Sequence, residues 1–353
     1  FLMIRRPPRS TPKPSSAASD VYKRQPSDLI VVDQLSKYYR VANKQPGFKG
    51  TLKHFFDRKT YDVPAVTDIS FKISPGEVVG FLGANGAGKT TLLKMMCGLI
   101  HPSTGLVDVG GFSPQRRQTA FLKEITLVMG QKQQLIWDLP PMDSLYVNAA
   151  VYGLSDHEAK VRINELAEML ELGEELTRPV RKLSLGQRMK SEILAALLHK
   201  PSVLFLDEPT LGLDVNAQAR VRSFLSEYNK RTGATILLTS HYMADITALC
   251  PRVICIHKGK LFYDGDLDSL ANSLSPSREV KVELKNPCAS EQFKKYGEIQ
   301  DLNDRFVCLL VSRDKLTDVV SKLLTDFDII DLEISDPPID QLIGELFIKG
   351  EVN

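Results

Sequence analysis

The feature that most constrains the fold is an eight-residue run, Gly83-Ala84-Asn85-Gly86-Ala87-Gly88-Lys89-Thr90, set between two differently patterned stretches. Residues 78–82 read as a short buried strand, and residues 89–97 as a helix ended by Gly98. A strand that turns through glycines into a helix is built to hold an anion. Successive backbone N–H groups curl around phosphate oxygens without Cβ clashes, and the helix N-terminus adds positive dipole at the same point. Lys89 has the reach for β- and γ-phosphates, and the Thr90 hydroxyl is suited to ligate Mg²⁺. Thr91, next along the helix, joins residues 83–90 as an expected cofactor contact.

The rest of the chain alternates strand and helix patterns. Residues 66–73 have the period of a half-buried strand, and Pro75-Gly76 is a turn. Residues 143–172 turn helical, with Val161, Ile163, Leu166, Met169 and Leu170 near helical spacing. A helix over 185–199 stops before Pro201. Strands are expected at 203–206 and 235–239, and helices at 217–232 and 244–249. This order predicts an α/β fold with a mostly parallel sheet and right-handed crossovers. Residues 28–41 read as a strand entering a loop, and residues 42–64 as an inserted loop with a short helix at 52–58. After about residue 275 the texture changes. Strands at 280–284, 306–311 and 329–334, with helices at 314–324 and 338–347, predict a small α+β domain over 275–353.

A second constellation narrows the chemistry. The apolar run 203–206 ends in Asp207-Glu208, so the strand delivers two carboxylates beside the phosphate loop. Asp207 is suited to hold Mg²⁺, directly or through water, and Glu208 to polarise an attacking water as general base. Just upstream, Leu183-Ser184-Leu185-Gly186-Gln187 resembles the signature of ATP-binding-cassette (ABC) ATPases, usually LSGGQ, with Leu185 in place of Gly. The other elements of that family follow in order. Gln131 resembles the Q-loop glutamine, which senses Mg²⁺ and contacts a transmembrane partner. Leu211-Gly212-Leu213-Asp214 resembles the D-loop, and His241 the switch histidine that contacts the γ-phosphate. Tyr39 matches the aromatic that stacks on adenine, with Tyr38 as its alternative. The phrases 130–140 and 240–243 are similar to the branch serving type 2 ABC exporters.

This resemblance spans residues 28–270. It implies a P-loop NTPase fold of the ABC type over 26–272, with an antiparallel β subdomain and a helical insert at about 138–185. It implies that each ATP and Mg²⁺ site is shared by two subunits. One supplies the loop, Asp207, Glu208 and His241; the other supplies Ser184, Gly186 and Gln187, with Asp214 joining the sites. One loop and one signature per chain then imply a homodimer or heterodimer. That dimer would drive an integral membrane permease from the cytoplasm, peripheral on the inner face of the cell membrane. The rival reading is a soluble ABC ATPase without a transport role. Translation-associated members carry two cassettes per chain, and chromosome-structure members insert long coiled coils between loop and signature. This chain shows neither pattern.

Bulk properties narrow the alternatives. No apolar run approaches the roughly 20 residues that cross a bilayer. The five cysteines, at 97, 250, 255, 288 and 308, lack paired metal-ligand spacing and read as reduced core residues. Residues 1–25 resemble the read-through of a transposase-type sequencing adapter, most clearly at 15–25 (SSAASDVYKRQ), and are set aside as non-native. They hold six of the 45 Lys and Arg and one of the 43 acidic residues, so without them the formal charge of +2 becomes −3. The apparent basicity then gives no reason to expect nucleic acid as a partner.

Overall fold

The computed structural model describes residues 28–42, 60–130, 134–274, 277–287 and 290–336 of the 353. β1 (Ile30–Ala42) and β2 (Thr60–Ile73) pair antiparallel, Ile30 opposite Ile73 and Ala42 opposite Thr60. β3 (Val78–Leu82) runs into the glycine-rich loop and α1 (Lys89–Met96). β4 (Thr104–Val109) returns to β1 and completes a three-stranded sheet ordered β2-β1-β4. α2 (Thr119–Glu124) leads into β5 (Ile125–Met129). Three helices follow: α3 (Pro141–Tyr152), α4 (Asp156–Met169) and α5 (Leu185–Leu197). The chain then alternates through β6 (Val203–Asp207), α6 (Val215–Thr232), β7 (Thr235–Thr239), α7 (Met243–Leu249), β8 (Arg252–His257) and β9 (Lys260–Asp266).

These strands form a six-stranded sheet ordered β5-β6-β7-β3-β8-β9. The first five are mutually parallel, and β9 closes the edge antiparallel to β8. A parallel sheet is covered on both faces, so its strands read as continuous apolar runs. β6 shows why. Val203 and Phe205 enter one core, shared with α1 and the antiparallel sheet. Leu204 and Leu206 enter the other, shared with the helical layer around Leu145, Ile163 and Leu166.

α8 (Leu267–Leu274) leaves this body for a separate unit. There β10 (Ser277–Leu284), β11 (Glu298–Leu302), β12 (Phe306–Ser312), α9 (Leu316–Asp326) and β13 (Ile329–Ser335) build an antiparallel sheet ordered β11-β12-β10-β13. Val280, Val282 and Leu284 alternate inward to a core of its own with Phe293, Val307 and Leu323.

One sequence-based expectation is corrected, and another is refined. Residues 60–64 are not loop but the start of β2, paired with Tyr38 to Ala42. Backbone pairing holds this end, since residues 60–64, Tyr61 and Val63 among them, are all exposed. β2 is an edge strand, which tolerates Pro64. The helical stretch 143–172 is two helices, the second restarted by a capping box. Ser155 Oγ accepts from the Glu158 N–H at 3.3 Å, and Glu158 Oε2 accepts from the Ser155 N–H at 2.9 Å. The expected helices at 52–58 and 338–347 lie outside the described residues. No described helix is long and apolar enough to cross a membrane.

Phe205 is fully buried at the sheet centre. Phe205→Ala is expected to destabilise the chain by about 3–5 kcal/mol, read as a drop in denaturation midpoint at unchanged slope.

Candidate active site

Sheet order builds the site. β6, β7 and β3 are neighbours and parallel, so their carboxyl ends open on one edge. β3 delivers the loop, β6 delivers Asp207 and Glu208, and β7 delivers Thr239, Ser240 and His241. The register sets Asp207 beside Thr239, and Thr239 beside Phe81.

Within the loop, Ala84, Asn85 and Gly86 are exposed, while Ala87 and Lys89 are buried. Gly88 caps α1 with φ 112°, and a Cβ there would sit 2.5 Å from the Ala65 carbonyl oxygen. Only glycine fits that turn and that gap. Lys89 Nζ donates to the Gly83 carbonyl at 2.6 Å and to the Ala84 carbonyl at 3.2 Å. Its ammonium therefore lies over the loop that phosphates would occupy. Burial pulls its pKa below the ordinary lysine value, with Glu208 and Asp207 opposing through their charge.

Asp207 is the hub of the cluster. Its Oδ1 accepts from Thr90 Oγ1 at 3.0 Å and from Thr239 Oγ1 at 2.8 Å. Two oxygens bound side by side to an octahedral Mg²⁺ lie about 2.9 Å apart, given metal–oxygen distances of about 2.0–2.1 Å. The hydroxyl and carboxylate present here fit that cation in both chemistry and separation. On the exposed side of the loop a Cβ on Gly86 would meet nothing within 4 Å, which leaves open space for a phosphate there.

Glu208 follows with φ 56°, a left-handed backbone that a non-glycine residue adopts at a cost. Its N–H donates to the Thr239 carbonyl at 3.0 Å and lies 3.2 Å from Thr239 Oγ1. Beneath it, a Cβ on Gly130 would sit 2.2 Å from the Glu208 carbonyl oxygen, so β5 can end there only in glycine. His241 Nε2 lies 2.7 Å from Glu208 Oε1. An ionised carboxylate only accepts, so Nε2 carries the proton.

The remaining predicted residues stand apart from this group. Ser184 caps α5 in a capping box with Gln187: Ser184 Oγ accepts from the Gln187 N–H at 3.2 Å, and Gln187 Oε1 from the Ser184 N–H at 3.0 Å. Gln187 Nε2 also donates to Glu175. Among the described residues neither bonds to the loop. Gly186 packs against α6, where a Cβ would meet the Ala217 Cβ at 2.9 Å. Asp214 caps α6 by accepting from the Ala217 N–H at 2.9 Å. Thr91 is half-buried in α1. Tyr38 and Tyr39 are both exposed on β1, at 39% and 38%, so neither is a core tyrosine. Lys37 Nζ lies 5.3 Å from the Tyr39 ring centre. Gln131 lies outside the described residues.

Comparisons with known proteins agree with this geometry. Residues 66–211 match the ABC transporter family, and residues 276–335 match the C-terminal domain of EvrA-like ABC transporters. The chain is 39% identical to the ABC transporter ATP-binding protein NatA of Bacillus subtilis, over 63% of this chain and 89% of that protein. The chain belongs to the ABC transporter ATPase family. It is 37% identical to the Nod factor export ATP-binding protein I of Burkholderia thailandensis, over 61% of this chain and 70% of that one. The ATP-binding cassette MJ0796, solved as a dimer in a post-hydrolysis state with ADP and Pi, shares its fold with a TM-score of 0.56 at 23% identity. That match covers 67% of this chain and 98% of the cassette. This ABC ATPase is thus a nucleotide-binding transporter subunit that hydrolyses ATP.

Sequence reasoning missed Thr239. It was legible only as the last residue of a strand, because its partners come from β6. Thr239→Val keeps the shape but removes the hydroxyl that serves both Asp207 and Glu208. It is expected to cost about 1–3 kcal/mol of stability, read by thermal melting, and to weaken Mg²⁺-dependent nucleotide binding.

Proposed function

We propose that this ABC ATPase binds Mg²⁺-ATP on residues 83–91 and hydrolyses it with Glu208 as general base, paired with His241. We further propose that it works as a homodimer or heterodimer beneath an integral membrane permease, in the direction of export. The observation that carries the reading is one bonded chain at the sheet edge: Thr90 to Asp207, Asp207 to Thr239, Thr239 to Glu208, Glu208 to His241. It sets a metal-type oxygen pair beside a base that is already oriented.

Each residue then has a task. The loop N–H groups bind phosphate oxygens, and Lys89 exchanges the Gly83 and Ala84 carbonyls for phosphate. Thr90 and Asp207 would hold Mg²⁺, with Gln131 as a further ligand from the sequence pattern; the cation supplies charge neutralisation when bound. Glu208 accepts a proton from the attacking water at its carboxylate. His241 donates to Glu208 through Nε2 and faces the position of the γ-phosphate. Tyr39 would stack on adenine. Ser184, Gly186 and Gln187 serve the site of the other subunit from the start of α5, and Asp214 bridges the two sites.

The permease reading is supported by six exposed large apolar side chains within residues 136–151: Ile136, Trp137, Leu139, Tyr146, Val147 and Val151. So many exposed apolar side chains in so short a stretch suit contact with a partner. A location on the cytoplasmic face of the membrane follows from that partner. Export is supported by the printed function of the Nod factor relative and by the phrase 130–140.

Glu208→Gln is expected to keep ATP affinity, cut turnover roughly 100- to 10,000-fold and accumulate ATP-bound dimers on size-exclusion chromatography. Near-normal hydrolysis would remove Glu208 as base. Lys89→Ala is expected to weaken nucleotide binding by roughly 10- to 100-fold in a fluorescent-nucleotide titration. Unchanged affinity would count against the loop as the phosphate site.

A further inference from the structure

One buried carboxylate has no part in the mechanism above. Asp245, in the first turn of α7, is fully buried. Burying a carboxylate is costly unless every lone pair is answered. Here three segments answer it. Ser240 Oγ donates to Asp245 Oδ2 at 2.6 Å, and Thr210 Oγ1 donates to the same oxygen. Arg222 of α6 donates to Oδ1 at 2.8 Å. Ser240 Oγ in turn accepts the Tyr242 N–H at 3.0 Å.

These partners are placed around the reaction. Ser240 precedes His241, and its bond to Tyr242 closes the turn that presents the histidine. Thr210 lies two residues beyond Glu208, whose φ of 56° must be held by its surroundings. The Leu211 N–H returns to the Glu208 carbonyl at 3.2 Å, so Thr210 sits inside the turn that fixes that backbone. Arg222 belongs to the helix that Asp214 caps. Thr210 and Ser240 are themselves buried. An apolar residue at 245 would fill the space, but it would not tie the Glu208 loop to the His241 turn.

We propose that Asp245 is a positioning residue for ATP hydrolysis. Its carboxylate fixes the register of the Glu208 and His241 segments and links both to the helix that begins at Asp214. The inference rests on the reading of Glu208 and His241 as the hydrolytic pair. Loss of the tie should leave nucleotide binding alone, because Lys89, Thr90 and Asp207 bond to none of these groups.

The test uses the full chain. Asp245→Asn leaves Arg222 half-buried without its charge partner and risks the fold. The Thr210→Val, Ser240→Ala double variant leaves the Asp245–Arg222 pair intact and removes the two hydroxyl ties, together with the Tyr242 N–H bond to Ser240. Its kcat should fall roughly 10- to 100-fold, the scale of a small misplacement at a reacting centre, while KM and nucleotide Kd stay within about 3-fold. Thr210→Ser, which keeps the hydroxyl, should retain turnover. A double variant with near-normal kcat overturns the proposal. So does an equal loss of kcat and nucleotide affinity, which would mean general loosening, or a Thr210→Ser variant as impaired as Thr210→Val. Glu208→Gln run in parallel separates the two failures. If it is inactive and the double variant is normal, only the role of Asp245 falls. If it turns over normally, the hydrolytic pair falls and the proposal with it.

Discussion

A single carboxylate oxygen organises the site. Oδ1 of Asp207 receives hydroxyls from both Thr90 and Thr239. One comes from the helix after β3 and the other from the end of β7, so three elements meet at one atom. Everything else about the site depends on that meeting. It works because β6, β7 and β3 lie side by side and parallel, which turns distant stretches of chain into neighbours at one edge. The apolar character of these strands is therefore what places the cluster: the buried sheet holds the Thr90 hydroxyl 3.0 Å from the Asp207 carboxylate.

What could be read from the sequence follows the range of each interaction. The loop 83–90, the acids at 207 and 208, the capping serine at 184 and the histidine at 241 each carry their signal within a few residues. Thr239 and Asp245 carry none locally. Their defining partners, Asp207 and Thr210, lie 32 and 35 residues away in the chain. The same limit hid five of the thirteen described strands. β5 (ITLVM) and β8 (RVICIH) are short and mix apolar with polar residues, with no turn chemistry to announce them, and β4, β9 and β11 show only weak alternation. β2 began six residues before the predicted position because its exposed end is held by ladder bonds, which leave no hydrophobic trace.

The signature region shows a different division of labour. Ser184 and Gln187 bond to each other, and Gly186 nestles against Ala217. In the isolated chain these residues look like the well-formed start of a helix. Local structure thus accounts for them fully, and a role toward a second subunit is a proposal that only the family resemblance supports. Leu185, which departs from the usual glycine, stays on the outside at 38% exposure, with its Cδ2 3.1 Å from where a Gly212 Cβ would be. The departure therefore falls against the loop that ends at Asp214, not within the helix packing.

Gly130 has a consequence of another kind. The gap between it and the Glu208 carbonyl holds no methyl group, so the residue after β5 acts as a hard stop beneath Glu208. Most enzymes surround a reactive side chain with neighbours that can yield by a few tenths of an ångström. Here the backbone itself is the stop, on a residue that has no chemistry to offer. A one-carbon change at a silent position would thus reach the Glu208 backbone with little damping. Along this strand the molecule has exchanged mutational tolerance for placement.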